Sequence, residues 1–479
     1  MPELVLYNTL TRRKERFEPL VAGEAGVYSC GPTVYARQHL GNLRTYVFAD
    51  QLVRALAFFG VRVRHVINIT DVGHLTDDAD QGEDKLERAA HAQGQDAHAL
   101  AAHWTAVFQR DLLQLNARPP HVWCRATEHI AEQIAMIGAL EHKGLTYATT
   151  DGLYFDTGKL VRYDVFERAG AGAPQASERI AQADEKRSSA DFALWKRSPL
   201  AGPQRQMEWD SPWGRGFPGW HIECSAMSVK HLGPRFDIHT GGLDHVPVHH
   251  TNEIAQSEQA LGVSPWVRYW LHGGWLMFDN SKMSKSSGAT WDLDQLIERG
   301  VHPLGFRWFL LGAAYRQQLA FSLPVVQEAD RTYRKLRRRI AEACAVAPST
   351  AAPADAPELR AFSAALADDL NTPRALAALW ELVRDGERSL ASKAALLRAI
   401  DAALGLQLCE PLIEREPAAL PASADISTGE DVARLIAERA SARATRDFAR
   451  ADAIRDRLAA RGIALEDAAT GTRVRPADG

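Results

Sequence analysis

The sequence predicts an α/β protein whose parallel sheet is interrupted by an insertion and followed by helices. The run Ala25 to Cys30 reads as a short strand into a Gly-Pro turn, Thr45 to Phe59 as a helix, and Arg62 to Ile69 as a second apolar strand. Together they make one βαβ unit. From about Pro119 to Pro203 the character changes to a hairpin-like DGLYFDTGKLVRYDVF and a loop rich in Gly, Ala and charge, the pattern of an insertion between two halves of a sheet. Strand-like WVRYWLHGGWLMF then precedes a turn and KMSKS. From Pro324 onward helical patterns dominate, broken by the linkers APSTAAPADAP near residue 350 and EPAALPASAD near residue 420.

Size and composition limit what these elements can mean. A chain of 479 residues exceeds one hydrophobic core, so about two to four domains are expected. With 46% hydrophobic and 24% charged residues the composition is that of an ordinary globular protein. The 56 basic and 60 acidic side chains leave a net charge of -4, so a polyanion partner must be met by local basic patches. No segment approaches the roughly 18 apolar residues of a membrane span, and the start lacks a signal-peptide core. A cytoplasmic protein without membrane contact is expected. The cysteines Cys30, Cys124, Cys224, Cys344 and Cys409 are far apart and odd in number, which argues against a disulfide framework.

Two motifs point to nucleotide chemistry. HLGN, His39 to Asn42, stands where the first strand gives way to a helix, and helix entry points offer unpaired N–H groups and a positive dipole end to phosphate. Gly41 would let adenine approach the backbone, and His39 could donate to the triphosphate. Alone, so short a string carries little weight. KMSKS, Lys282 to Ser286, follows the Gly273-Gly274 bend; its two lysines can follow the charge that builds on a leaving pyrophosphate. In this order and at this separation the two motifs resemble class I aminoacyl-tRNA synthetases and, more distantly, nucleotidylyltransferases.

A third constellation concerns metal. His249 and Glu253 lie four apart in VHHTNEIAQSEQAL, so a helix there would put them on one face. Cys30 and Cys224 could add the sulfur ligands that zinc accepts. Spacing alone cannot make the four converge, since cysteines are commonly core residues and a His-x-x-x-Glu pair is commonly a plain helix face.

The strings CGPTVYARQHLGN, NITDVGH, GWHIECSAM, DIHTGGLDH, HHTNEIAQSE and KMSKS occur in the order and at about the separations seen in cysteinyl-tRNA synthetases. The chain resembles that family from NTLTR near its start to RGIALEDAATGTRV in its tail. The resemblance implies a Rossmann-type catalytic domain with a connective insertion, a KMSKS-bearing region, a helical bundle and a small anticodon-binding domain. On this chain those would fall at residues 1–118 and 206–265 for the two catalytic halves and 119–205 for the insertion. The remaining parts would be 266–323, 324–410 and 425–479. The resemblance further implies zinc ligands at Cys30, Cys224, His249 and Glu253, and an ATP-contacting lysine at Lys285. Thr70, Trp220, His239 and Asp244 match residues that line the amino-acid pocket. The implied chemistry joins L-cysteine to ATP, with Mg2+, and then to tRNA(Cys). His39, Asn42, Lys282 and Lys285 would stabilise developing charge, and His39, Gly41, Asn42 and Lys285 would contact ATP. A monomer is expected.

Two departures from the family pattern stand out. Asn42 replaces the usual histidine, so the second phosphate-side donor is an amide that hydrogen-bonds but never carries charge. After KMSKS, SGAT replaces the usual Leu-Gly-Asn. Neither removes a lysine or a zinc ligand. Zinc gives the resemblance a physical logic, because a thiolate is a strong zinc ligand and an alcohol is not, so no editing domain is expected. Two basic stretches could meet tRNA: Arg331 to Arg339, and a stripe of Arg439, Arg443, Arg446 and Arg450 at helical spacing. A solvated face paired with nearby acids is the alternative for both. Mycothiol cysteine ligase shares the zinc and ATP motifs but lacks the tail from about residue 425, and a nucleotidylyltransferase has no use for the four candidate ligands.

Overall fold

The computed structural model describes residues 2–73, 84–163, 165–166, 185–198, 205–278, 281–282, 290–348, 351–410, 438–439, 442, 447–459, 463–468 and 471–476. An N-terminal hairpin, β1 (Val5–Asn8) and β2 (Arg13–Arg16), precedes the expected βαβ unit of β3 (Glu24–Ser29), α1 (Leu40–Phe58) and β4 (Arg62–Ile69). Helices α2 (Lys85–Gln93) and α3 (Ala97–Gln114) lead to β5 (Val122–Arg125), which pairs parallel with β4. Past α4 (Ile130–His142) an antiparallel sheet forms from β6 (Thr146–Ala148), β7 (Gly152–Phe155), β8 (Phe192–Arg197) and β9 (Gly216–Pro218). The chain then returns through α5 (Trp220–Leu232), β10 (Phe236–Gly242), α6 (Thr251–Leu261) and β11 (Val267–Gly273).

The central sheet has the order β11-β10-β3-β4-β5, and all its pairings are parallel. Strand β10 is buried along its whole length, as expected of a parallel strand covered on both faces. From β3 the chain winds one way to β4 and β5, whereas β10 and β11 lie on the other side. The boundary between β3 and β10 is therefore the topological switch point, and ligands of open α/β sheets bind at the carboxyl ends of the strands there.

The remainder is mainly helical. Short strands β12 (Leu276–Phe278) and β13 (Ser281–Lys282) precede α7 (Leu293–Glu298), α8 (Pro303–Leu311) and β14 (Leu319–Ala320). Helices α9 (Leu323–Ala345), α10 (Pro357–Ala367), α11 (Thr372–Arg384) and α12 (Leu390–Leu404) make the bundle. One apolar cluster runs from Phe48, Leu52 and Leu56 of α1 to Leu366, Leu379 and Leu404 of the bundle, so the bundle shares its core with the body that carries the parallel sheet. The tail carries α13 (Phe448–Ala459) and a hairpin of β15 (Ile463–Ala468) and β16 (Gly471–Pro476). No helix among the described residues is long and apolar enough to cross a membrane.

A buried charge network fastens α1 to the bundle. Asp50 accepts hydrogen bonds from Arg54 Nε (2.8 Å), Arg307 Nη2 (2.5 Å) and the Arg118 amide (2.8 Å). Arg307, fully buried, also donates to the carbonyls of Leu404 (2.9 Å) and Leu115 (3.1 Å). Burial raises the Asp50 carboxyl, but Arg307 and Arg54 outweigh it and hold the group below its ordinary value. Removing one partner of such a network strands a buried charge, so Asp50→Asn is expected to cost about 3–5 kcal/mol, read from denaturant unfolding. A carboxyl whose folded pKa lies below its unfolded one binds more protons when unfolded. Its contribution is thus present above about pH 4 and is lost as pH falls further, so the variant should show a weaker acid-side decline than the parent.

Four features differ from what the residues alone suggest. The expected hairpin within residues 151–166 does not form: β7 pairs with β6 and with the distant β8, and Thr157–Lys159 makes a single 3-10 turn. The apolar run Leu153, Tyr154 and Phe155 finds buried partners on other strands rather than on its own sequel. β5 extends the parallel sheet beyond residue 118, where the insertion was expected to begin, and β9 lies past residue 205. Cys344 and Cys409 are joined by a disulfide, because α9 and the chain leaving α12 run side by side and bring Cα atoms 65 residues apart to 4.9 Å. Arg439 is buried, so it does not belong with exposed Arg450 on one solvent-facing stripe; Arg443 and Arg446 lie outside the described residues.

A candidate active site at the switch point

Every chain segment around the switch point contributes a side chain. Cys30 follows β3 directly, and Gly31 lets the chain turn against β4: a Cβ there would sit 1.5 Å from the carbonyl oxygen of Asn68. Asn68 accepts from the Gly31 amide (2.7 Å) and donates to Thr70 Oγ1 (3.0 Å), which ties buried Thr70 to the Cys30 turn. Cys224 sits on α5 and Glu253 on α6. Those helices are clamped by Gln256 Nε2, which donates to the His221 carbonyl (2.6 Å) and to Ser225 Oγ (2.7 Å), and by Ser257 Oγ, 2.8 Å from Ser225 Oγ. A π-helical turn, Val246–His250, feeds directly into α6 and carries His249 onto the face of Glu253, as the four-residue spacing predicts.

The ligand atoms of Cys30, Cys224, His249 and Glu253 all lie within 4.8 Å of one another, and all four residues are buried. A tetrahedral zinc with bonds of about 2.0–2.3 Å spaces its donors roughly 3.3–3.8 Å apart, so the cluster is of the right size to hold one. Cys30, His239, His250 and Glu253 form a second such group. The two share Cys30 and Glu253 and can hold only one ion between them. Glu253 binds both flanking histidines, with His249 Nε2 at 2.6 Å and His239 Nε2 at 2.7 Å.

Without a metal the cluster shares protons among its own members, and metal binding would release them. Hydrogen bonding from Cys30, aided by His249, draws the Cys224 thiol down to about 7 against the effect of burial. Burial keeps Cys30 well above the ordinary thiol value. Against burial, Glu253 holds His249 up at about 10. Burial also raises Glu253, but His239 and His249 outweigh it and keep the carboxylate ionised.

Sequence reasoning missed the histidines behind this cluster. His250 Nε2 lies 3.3 Å from Cys30 Sγ, His250 Nδ1 lies 2.7 Å from His272 Nε2, and His272 Nδ1 lies 2.8 Å from Thr9 Oγ1. His221 Nδ1 lies 2.9 Å from His249 Nδ1. Burial, then neighbouring histidines, push His250 and His272 well below the ordinary value, so both are neutral and orient one another through hydrogen bonds. The doubled histidine in HHTNE and His221 in GWHIEC were the available signals.

The residues matched to the amino-acid pocket surround this centre. The Trp220 ring stacks on His249 at 4.4 Å between centroids, and buried His239 stacks on Trp270 at 4.7 Å. Asp244 is exposed in a 3-10 turn that follows β10 and accepts from Trp275 Nε1 at 3.3 Å.

On the other side of β3, His39 caps α1. Its Nδ1 accepts from the Asn42 amide at 3.2 Å, so the proton of a neutral ring sits on Nε2. Gly41 and Asn42 lie in the first turn, and Asn42 Oδ1 is buried without a hydrogen-bond partner among the described residues. Arg37 reaches Asp111 (3.0 Å) and Asp294 while Arg110 reaches Asp294 (3.0 Å), and the Leu40 amide donates to the Trp291 carbonyl (2.8 Å). The start of α1 is thereby fixed to the chain entering α7. Lys282 belongs to β13; its side chain, and Lys285 entirely, lie outside the described residues.

This fold and site define a class. Residues 16–331 match the family model of the tRNA synthetases class I (C) catalytic domain, residues 361–408 a DALR domain, and residues 427–475 the cysteinyl-tRNA ligase anticodon binding domain. The fold is shared with a Mycobacterium tuberculosis methionyl-tRNA synthetase in complex with methionyl-adenylate, at a TM-score of 0.53 and 16% identity over 81% of this chain and 90% of that one. The protein is thus a class I aminoacyl-tRNA synthetase. A cysteine–tRNA ligase 1 of Burkholderia lata is 49% identical, covering 98% of this chain and 96% of its own. A cysteine–tRNA ligase of Novosphingobium aromaticivorans is 45% identical, covering 97% and 95%. The chain belongs to the cysteine–tRNA ligase family.

Proposed function

We propose that the protein activates L-cysteine with ATP to cysteinyl-adenylate and transfers the cysteinyl group to the 3′-terminal ribose of tRNA(Cys), acting as a cytoplasmic monomer. The observation that carries the cysteine-specific part is the buried cluster of Cys30, Cys224, His249 and Glu253 at the switch point. Its two sulfurs favour this set over the alternative with one, and suit zinc. Cys30, Cys224, His249 and Glu253 would hold a zinc ion there, and it would supply selection, because a thiolate is a strong zinc ligand and an alcohol is not.

The residues of the chain do the remaining work. Trp220, Thr70, His239 and Asp244 bind the amino acid and hold its carboxylate toward α1. Gly41 and the first turn of α1 receive the nucleotide, which arrives with Mg2+. The carboxylate attacks the α-phosphate, and His39 Nε2, the Asn42 amide, Lys282 and Lys285 stabilise the charge that develops toward pyrophosphate. A ribose hydroxyl of the tRNA terminus then displaces AMP. In this reading residues 1–118 and 206–265, with β5 and β11 added and β9 given up, form the catalytic body, the antiparallel sheet β6 to β9 the insertion, the rest of 266–323 the KMSKS region, 324–410 the bundle and 425–479 the anticodon-binding part.

The deciding experiment is ATP–pyrophosphate exchange across several amino acids without tRNA. Cysteine alone should support it, and equal exchange with serine would refute selection by the metal centre. Asn42→Ala removes one donor from the transition state, so kcat for exchange should fall roughly 10- to 100-fold while the KM for cysteine stays within about twofold. A change confined to the KM for cysteine would remove Asn42 from the phosphate side.

A further inference from the structure

The cysteines of the protein divide into two kinds. Cys30, Cys124 and Cys224 are buried in or beside the catalytic sheet. Cys344, in the last turn of α9, and Cys409, just after α12, are partly exposed and joined to each other. Their approach does not depend on the bond. Tyr333 Oη donates to the Leu406 carbonyl (2.7 Å), Asp401 accepts from the amides of Leu406 (2.8 Å) and Leu408 (2.9 Å), and Arg337 donates to the Glu410 carbonyl. Residues 406–410 are therefore laid along α9 by hydrogen bonds, which keep the two sulfurs within reach of each other when reduced. A disulfide in a cytosolic enzyme is usually transient or redox-sensing rather than structural. Here it stands where the chain leaves the bundle for the segment matched to anticodon binding, residues 427–475.

We propose that Cys344 and Cys409 form a reversible thiol–disulfide site, closed by low-molecular-weight disulfides and reopened by small thiols, that tunes tRNA charging without touching amino-acid activation. The chemistry balances by two exchanges. One protein thiolate attacks the small disulfide, forming a mixed disulfide and releasing one small thiol. The second protein thiolate attacks the protein sulfur of that mixed disulfide, forming the Cys344–Cys409 bond and expelling the second small thiol. The protein dithiol loses two protons and two electrons, and the small disulfide gains them. Cystine, the oxidised form of the proposed amino-acid substrate, belongs to this class of oxidant. The closed bond makes permanent a seating on α9 that the hydrogen bonds alone hold only part of the time, so residues 406–410 leave α9 less often.

The functional half of the proposal rests on the tRNA-charging reading; the chemical half does not. The full chain is reduced, freed of reductant, and treated with cystine or, in a parallel arm, glutathione disulfide; thiols are then counted by alkylation in denaturant and mass spectrometry. The expected result is a fall from five alkylated cysteines to three, a linked Cys344–Cys409 peptide pair, and recovery on adding a small thiol. Either small disulfide alone closing the bond names the oxidant. Relative to the reduced form, the closed form should show a KM for tRNA lower by about threefold or more, with exchange unchanged within about twofold. Cys344→Ser and Cys409→Ser should stop at the mixed disulfide, form no internal bond, and show no fall in the KM for tRNA. A linked Cys30–Cys224 pair, a thiol count that stays at five, or equal charging in both redox states in the parent would overturn the proposal. If no state charges tRNA while the bond still opens and closes, the synthetase reading and the functional half fail together and the redox site stands.

Discussion

Cys224→Ser should empty the metal centre and lower cysteine-dependent exchange by about a thousandfold or more, a barrier increase of about 4 kcal/mol. Cys224 is buried between Cys30 and the His249–Glu253 pair, and its thiol is already drawn down to about 7 before any metal is considered. Serine is nearly isosteric there but brings an alcohol that zinc does not bind well. The clamp between α5 and α6 uses Ser225, Gln256 and Ser257, not Cys224, so the fold should persist. Elemental analysis of the parent should give about one zinc per chain, and the variant almost none. A variant that keeps stoichiometric zinc, or parent protein without any, would refute the ligand set. Circular dichroism and the thermal midpoint separate this outcome from unfolding.

Truncation after residue 424 should separate the two chemical steps. The four-residue cluster and the start of α1 lie at the carboxyl ends of the parallel strands, and the bundle that shares their core ends at α12. Exchange should therefore survive within about twofold, whereas charging should fall by roughly a hundredfold as phosphate contacts that position the RNA are lost. The salt dependence of tRNA binding should weaken with it. The structure revises which arginines are candidates: Arg439 is buried, while exposed Arg450 faces Glu438 at 3.9 Å. On α9, Arg331 pairs with Glu328 and Arg334 with Asp330, leaving Lys335, Arg338 and Arg339 as exposed cations of the run Arg331 to Arg339. Charging by a folded truncation at the parental rate would remove tRNA recognition from the tail.

The parts legible in the sequence were those that short-range chemistry writes. The βαβ unit from β3 to β4 follows from apolar runs and a Gly-Pro turn, and the face shared by His249 and Glu253 follows from their spacing. Less was legible wherever a partner came from far away. The apolar strand β7 was visible, but not its choice of β6 and β8, because backbone pairing in a sheet carries no local address. The Cys344–Cys409 bond was missed for the same reason: an odd number of scattered cysteines argues against a disulfide framework but cannot show two chain segments packed side by side. Neutral histidines such as His250 and His272 left only a faint trace, since a buried hydrogen-bonded histidine and an exposed one are the same letter.

What the sequence determined by itself was the inventory: two thiols, a histidine and a carboxylate with the chemistry to hold zinc, a helix-entry motif for phosphate, and the order of the parts along the chain. Tertiary structure alone decided that Cys30 and Cys224 face each other, that Glu253 is shared between His239 and His249, and that α1 is locked to the bundle through Asp50 and Arg307. The physical reason is that residue type and short spacing are properties of a few neighbouring bonds. Convergence at the switch point is instead a property of the strand order β11-β10-β3-β4-β5, which burial and pairing across the whole domain select together.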